Sequence, residues 1–483
     1  MINKVDSSQS IGKVGVAQLD ITPPIGIYHR MWGAAKHDQA TGVHRPLMLS
    51  VLWMENSEST SEKFVLITMD HCILDGAEIK AIRKLVSTSC NINEFNVVVS
   101  LSHTHGSGWM SRGRSNLPGG ELIGPYLDGL IQKCASTALN AMDNSQSAFV
   151  TFGSTRCNLA AHRDYYDETS KQFVCGFNPE GLADDTVLLA RIENADGKCF
   201  ATLVNYACHP TTLAWENTKI SPDYIGSMRE IIEKETLAPC LFLQGASGDL
   251  GPKEGFVGDH KVADRNGRQL GYAVLSGLQC LAPSAMHFIY AGPVVSGATL
   301  GIWNHQPLQK EELNSKKRWG FKEVTVQLPY RSDLPTLEKT EIQLLHWQQE
   351  EANALASGDQ IKARDCRALV EQMTRQITRL SSLSGTKTHP YTFPLLLWGD
   401  SLWVFLPGEL YQMFQINLRK QFPSHAVIVA TLSNEWQPGY LPEASSYGYG
   451  IYQEKIATVA PGCLEILLET VKREFNQMAS SIK

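Results

Sequence analysis

The sequence predicts an α/β protein, a layered sandwich of helices around mixed sheets with a metal-type site at the carboxyl ends of strands. Two observations predict it. Apolar, β-branched runs of strand length alternate with segments of helix length, and helical connections separate many of the strands. Several of the strand-like runs also end in polar or glycine-rich turns carrying histidine or acidic residues, where ligands gather in α/β sheets.

Taken in order, Lys13 to Asp20 reads as a strand closed by the turn Thr22-Pro23-Pro24-Ile25-Gly26. Leu47 to Met54 and Phe64 to Met69 are further strands, and Ala77 to Val86 is a helix. Val97-Val98-Val99-Ser100-Leu101 is a buried strand running into Ser102-His103-Thr104-His105. Side chains two apart on a strand share a face, so His103 and His105 are expected to enter one pocket. Ser107 to Pro125 reads as a long loop, and Tyr126 to Met142 as a helix. Ala148 to Thr155, Thr186 to Glu193 and Phe200 to Ala207 are strands, the last leading to His209. Pro222 to Glu235 is a helix with Ser221 as its expected N-cap. Cys240 to Gln244 is a strand entering Gly245-Ala246-Ser247-Gly248-Asp249, and Val262 to Leu281 a helix.

Met286 to Arg331 reads as strands and loops. Leu334 to Leu380 reads as two helices joined near Ser357-Gly358-Asp359, its charges taken as solvated faces. Phe393 to Trp398 and Leu402 to Leu406 form a hairpin through Gly399-Asp400. Glu409 to Phe422 is a helix, Ala426 to Leu432 a strand and Cys463 to Met478 a final helix. The expected organisation is one catalytic domain over 1–483 with a helical insertion at about 334–380.

Composition narrows the classes. The 483 residues are 43% hydrophobic and 19% charged, with net charge −6, which is ordinary globular composition. No basic stripe points to nucleic acid, and no apolar run approaches a membrane span. The N-terminus shows no apolar signal region, and eleven scattered cysteines include no C-x-x-C pair. Reduced, buried thiols in a cytoplasmic protein are expected, rather than disulfides or a thiolate zinc site.

Four strand-end points could carry chemistry: His103 with His105, His209, the Ser247–Asp249 turn, and Glu409 after Pro407-Gly408. Three histidines and a carboxylate would suit zinc, which takes N and O ligands and keeps a position open when catalytic. The plainer readings are a strand-end histidine bonded to backbone and, for Glu409, a first-turn acid favoured by the helix dipole. The Gly-Ala-Ser-Gly-Asp-Leu-Gly-Pro loop lacks the Gly-Lys-Ser/Thr ending of a P-loop, and no G-x-S-x-G elbow is present.

The ordered pieces Gly15-Val16-Ala17 through Asp20-Ile21-Thr22-Pro23-Pro24, Ser102-His103-Thr104-His105, Asn205-Tyr206-Ala207-Cys208-His209-Pro210-Thr211, Gly248-Asp249-Leu250-Gly251-Pro252 and Leu406-Pro407-Gly408-Glu409 resemble the neutral, or non-lysosomal, ceramidase family in its N-terminal catalytic domain. The resemblance implies a zinc amidase with one Zn²⁺ per chain. It implies His103, His209 and Glu409 as ligands with a tyrosine fourth, matched by Tyr440 and with Tyr447, Tyr449 and Tyr452 left open. It implies His105 beside the reacting carbonyl, Arg163 as a substrate contact, and Asp249 either moving a proton or orienting a ligand histidine. Two departures follow. Gly251 stands where the family carries a serine, and the C-terminal β-sandwich of ceramidases is expected to be lacking.

The expected function is therefore zinc-dependent hydrolysis of an amide in a soluble small molecule rather than ceramide, by activated water and without a serine nucleophile. No nucleic acid and no stable membrane association are expected; a homo-oligomer is allowed. The alternatives are a hydrolase of a carbohydrate or ester linkage, with Arg112 and Arg114 recognising an anionic or polyhydroxy group, and a non-catalytic binding protein of the same fold.

Overall fold

The computed structural model describes residues 3–59, 61–383 and 385–481. Its central sheet has eight strands. In chain order they are β1 (Gln9–Asp20), β2 (Met48–Glu55), β3 (Lys63–Met69), β4 (Val97–Leu101), β5 (Gln146–Arg156), β6 (Thr186–Asn194), β7 (Cys199–Tyr206) and β8 (Cys240–Gln244). Their spatial order is β8-β7-β6-β5-β1-β2-β3-β4. The β7–β8 and β3–β4 pairs are parallel and the other neighbours antiparallel. A second sheet runs β9-β10-β11-β12, built from β9 (Trp319–Pro329), β10 (Thr388–Trp398), β11 (Ser401–Phe405) and β12 (Ala426–Ala430). The predicted hairpin joins β10 and β11, with Trp398 opposite Ser401.

The two sheets face each other, and helices cover their outer faces, as the layered class predicts. Along β3, Phe64 and Leu66 enter the core between the sheets, where they meet Trp398, Trp403 and Phe405. Val65 and Ile67 turn the other way, toward α1 (Gly76–Cys90) and α2 (Ile123–Asp143). Burial on both faces is why this strand reads as a continuous apolar run instead of an alternation. The half of the sheet holding β6 to β8 is covered by α3 (Tyr224–Thr236) and α4 (His260–Gln279). Beyond the helix pair α5 (Leu337–Ala356) and α6 (Gln360–Ser381), α7 (Met413–Gln421) and α8 (Cys463–Ser481) pack on the second sheet through Phe414, Leu418, Leu467, Val471 and Phe475. At Gly15 an added Cβ would lie 1.7 Å from the Ala141 carbonyl oxygen, so only glycine lets α2 sit this close to β1.

The eight-stranded sheet curls until its edge strands β4 and β8 touch. The chain leaving β12 stitches them. Thr431 N donates to Gln244 O at 2.9 Å, Leu101 N to Leu432 O at 3.2 Å, and Asn434 N to Val99 O at 2.7 Å. Deeper in, buried Asn205 ties β7 to both sheets. Its Nδ2 donates to Leu243 O (3.1 Å) and Val429 O (2.8 Å), and its Oδ1 accepts from Val429 N (3.3 Å) and Arg419 Nη2 (3.2 Å). The turn after β8 is tied to the start of α7, because the Asp249 oxygens accept from Gln412 N and Gln412 Nε2, each at 2.8 Å.

Three local expectations are corrected. The N-cap of α3 is Asp223, whose Oδ1 accepts from Tyr224 N at 2.6 Å; Ser221 Oγ instead accepts from Asp223 N at 3.0 Å. The helix expected from Glu409 begins only at Met413, since Glu409–Leu410 form a short strand parallel to Tyr440–Leu441. The charges of the 334–380 segment are not all solvated: Glu371 and Arg379 are buried on one face of α6, as is the polar Gln376. A face that is polar and buried carries no hydropathy signal. The eleven cysteines are all free, and among the described residues no helix is long and apolar enough to cross a membrane.

Replacing Asn205 by leucine should remove its donor from two buried carbonyls and its acceptor from Arg419 Nη2, while Arg419 keeps its bonds to Asp184 and Val427. A loss of about 2–3 kcal/mol in urea unfolding is expected; an unchanged midpoint would remove the inter-sheet role of this residue. Burial pushes the Asp249 carboxyl up to about 6, against the Gln412 donors and His162. The folded state then binds this proton more tightly than the unfolded chain, so stability declines as pH rises from about 4 through about 6. In Asp249→Asn that part of the slope should vanish, and a slope identical to wild type across this window would show that the carboxyl titrates normally.

Candidate metal centre and its cavity

β4 ends at Leu101, and the backbone then departs from strand geometry. His103 adopts φ +65°, a left-handed conformation costly for a residue with a Cβ. Its amide donates to His71 O at 2.9 Å, and its ring Nδ1 donates to Cys72 O at 2.9 Å. With the proton on Nδ1, the lone pair lies on Nε2. His105 opens a short 3-10 turn, so strand alternation is not what brings the two histidines together, contrary to expectation. The left-handed turn does so, with ring centroids 5.0 Å apart.

His209 follows β7 and is held the same way, its Nδ1 donating to Ser247 O at 2.9 Å. The glycine-rich turn after β8 thus orients a ring by a backbone carbonyl. Glu409 is delivered by the pairing of Glu409 with Tyr440. Its Oε1 accepts from Trp436 Nε1 at 3.1 Å. Its Oε2 lies 3.3 Å from His103 Nε2 and 3.0 Å from His209 Nε2, yet this buried atom has no hydrogen-bonded partner. Donor atoms of His103, His209 and Glu409 fall within 4.8 Å of one another, with lone pairs facing one point. Two imidazoles and a carboxylate so arranged fit a small divalent cation of the zinc type.

The electrostatics agree. Burial pushes His209 down to about 4, with the Arg163 charge adding to it. His105 is held well below its ordinary value by burial and by the two neighbouring rings. His103 moves the other way: burial opposes, but Cys72 and the Glu409 carboxylate raise it. Glu409 is held well below the carboxylate range because the two imidazoles outweigh its burial. A cation at this point takes the place of the proton that the His103–Glu409 pair otherwise shares.

The remaining residues singled out in the sequence divide. Arg163 is buried, donates through Nη2 to Gly248 O (2.6 Å) and Tyr440 Oη (2.9 Å), and lies over the Tyr440 ring. Tyr440 Oη stands 3.5 Å from His209 Nε2. Of the other tyrosines, Tyr447 Oη donates to Val459 O, Tyr449 is exposed, and Tyr452 stacks edge-on against Tyr440. Asp249 is held by Gln412, and its nearest histidine contact is His162 Nε2 at 3.7 Å, while the Nδ1 of His209 is served by Ser247. Arg112 pairs with Glu78 and Asp128, and Arg114 with Glu371. Structural carboxylates therefore occupy both loop arginines.

The centre opens on a cavity of about 510 Å³. His105, Arg163, His209 and Tyr440 line it, as do Trp32, Trp215 and Phe256 and, from α6, Glu371, Arg375 and Arg379. Trp32 lies 5.0 Å from the His105 ring and edge-on to Phe256. Both ring nitrogens of His105 and the hydroxyl of Thr211 are buried there without partners. A Cβ added at Gly251 would reach only ordinary contact, 3.8 Å from Thr211 Oγ1 and 3.9 Å from Arg163 Cδ. Thr211, the aromatic wall and the α6 arginines escaped the sequence reading. Of these only Thr211, two residues after His209, lies within a motif singled out in the sequence, where it was given no role.

Residues 13–252 match the family model described as neutral/alkaline non-lysosomal ceramidase, N-terminal. Neutral ceramidase from Pseudomonas aeruginosa is similar in fold, with a TM-score of 0.64 at 13% identity, over 97% of this chain and 74% of that one. A ceramidase complexed with C2 is similar with a TM-score of 0.65 at 13% identity and the same coverage. No curated protein sequence is a significant match. The matched segment contains His103, His105, Arg163, His209 and Asp249, whereas Glu409 and Tyr440 are supplied by chain beyond it. Residues 13–252 are thus similar to the N-terminal domain of the neutral/alkaline non-lysosomal ceramidases, and the whole chain shares the ceramidase fold.

Proposed function

We propose that the protein is a zinc-dependent hydrolase that cleaves a carbon–nitrogen amide bond of a soluble small molecule with water. The carrying observation is the convergence of His103, His209 and Glu409 at the wall of the cavity, with an unpaired carboxylate oxygen at the focus. The family of residues 13–252 supports an amide as the bond. Zinc held by these three side chains, with Tyr440 as the fourth, would lower the pKa of water toward neutrality and polarise the acyl carbonyl.

The chain's own residues do the rest. A neutral His105 offers an N–H to the acyl oxygen as negative charge develops there. Tyr440 accepts a hydrogen bond from Arg163, which orients its hydroxyl toward the metal position. Arg163 brings a positive charge to that end of the cavity. The partnerless Thr211 hydroxyl is the group available to relay a proton to the departing amine. Asp249, bonded to Gln412, positions the turn that carries Ser247 and does not take that role.

The nucleophile is water and not a serine. Gly251 has no hydroxyl, and Ser247 Oγ accepts from Gln244 Nε2 at 2.6 Å. The eleven free thiols support a reducing, cytoplasmic setting.

Metal analysis of purified protein should find about one zinc per chain, lost together with hydrolysis of simple N-acyl amides in His209→Ala. Ser247→Ala should keep kcat within a few-fold. A loss of about 10³-fold or more, near 4 kcal/mol, with zinc still bound would return the chemistry to a serine. Thr211→Val should lower kcat by about 10- to 100-fold with zinc content unchanged; equal kcat would exclude the relay.

A further inference from the structure

The wall of the cavity opposite in sequence to the metal centre is cationic. Arg379 on α6 is 3% exposed and lines the cavity. Its Nε donates to Gln376 Oε1 at 3.2 Å and its Nη2 to the same oxygen, a neutral acceptor. Among the described residues no carboxylate lies within ion-pair distance of it. One turn earlier, Arg375 donates through Nη2 to Met31 O at 2.6 Å, and its buried Nε has no partner. The one carboxylate facing them, Glu371, lies 3.9 Å from Arg375 but 3.1 Å from Arg114 and 3.5 Å from Arg367. Arg163, the third cation of the cavity, is engaged with Gly248 and Tyr440.

A buried charge is ordinarily paired, because removal from water costs more than neutral acceptors return. Burial, with Arg375 pulling the same way and Tyr452 and Tyr440 opposing, pushes Arg379 down to about 10. A guanidinium fork left open in a cavity matches the two oxygens of a carboxylate. We infer that the substrate is an N-acyl amide bearing a carboxylate, which seats on Arg379 and Arg375 of α6 while its amide lies at the metal centre. This rests on the amide-hydrolase reading above.

The test is binding, measured by calorimetry with the zinc-loaded protein at low and high salt. The probes are N-acetylglycine, its methyl ester, and N-acetylaminomethylphosphonate. The carboxylate should bind at least tenfold tighter than the ester, with the preference shrinking as salt rises. Arg379→Gln should cut the carboxylate-to-ester ratio at least tenfold, and Arg379→Lys should restore part of it. Should Arg379→Gln fail to fold, judged by its thermal midpoint, Arg375→Gln carries the same comparison. Equal affinity for acid and ester, or a preference untouched by both arginine variants, overturns the inference. A phosphonate bound tenfold tighter than the carboxylate overturns the carboxylate assignment. An arginine-dependent preference without any hydrolysis supports the anion seat and removes the hydrolase reading instead.

Discussion

Everything at the centre depends on the closure of the eight-stranded sheet by the chain that leaves β12. In strand order β4 and β7 are separated by five intervening strands, and on a flat sheet their ends would lie far apart. Curling brings the edges β4 and β8 into contact, and the backbone bonds of Thr431, Leu432 and Asn434 hold them there. His103 and His209 can then share a point, with ring centroids 4.7 Å apart. The same stretch of chain continues to Tyr440, whose pairing with Glu409 supplies the carboxylate. Closure of the sheet and assembly of the donor set are thus one structural event.

Backbone carbonyls do much of the electrostatic work. Cys72 O and Ser247 O each accept from a histidine Nδ1, and this directs both Nε2 lone pairs inward. Burial then keeps His209 and His105 neutral, the state in which imidazole binds a metal or donates to a carbonyl oxygen. The left-handed turn at His103 is tolerated because the His71 carbonyl holds its backbone amide and the Cys72 carbonyl holds its ring. Four of the buried polar atoms without partners, Glu409 Oε2, both nitrogens of His105 and Thr211 Oγ1, gather in this region, where a cation and a substrate would satisfy them.

Helix α6 gives the far side of the cavity a cationic character. Neutral ceramidase shares the fold at 13% identity, a level at which sheets and helices persist while the cavity lining need not. Here α6 contributes two arginines and a shared carboxylate beside an aromatic wall of Trp32, Trp215 and Phe256. Arg163 and the α6 arginines come from segments some two hundred residues apart, and the fold sets them around one space.

Sequence by itself determined the layered α/β class, because apolar runs such as Val97–Leu101 and Cys240–Gln244 are strands wherever they are buried on both faces. It also marked His103, His105, His209 and Glu409, since strand ends followed by polar turns are where side chains of this kind become available. It misread what depends on neighbours: Glu409 as a helical acid, strand alternation for His103 and His105, and α6 as a solvated face. Local pattern cannot reveal that Gly439 O would capture Glu409 N, or that the far side of a polar helix would be covered by Met31 and Trp109. The identity of the convergent donors was legible residue by residue. That they converge was decided only by the curl of the sheet, because hydrogen bonds between segments hundreds of residues apart leave no trace in local periodicity.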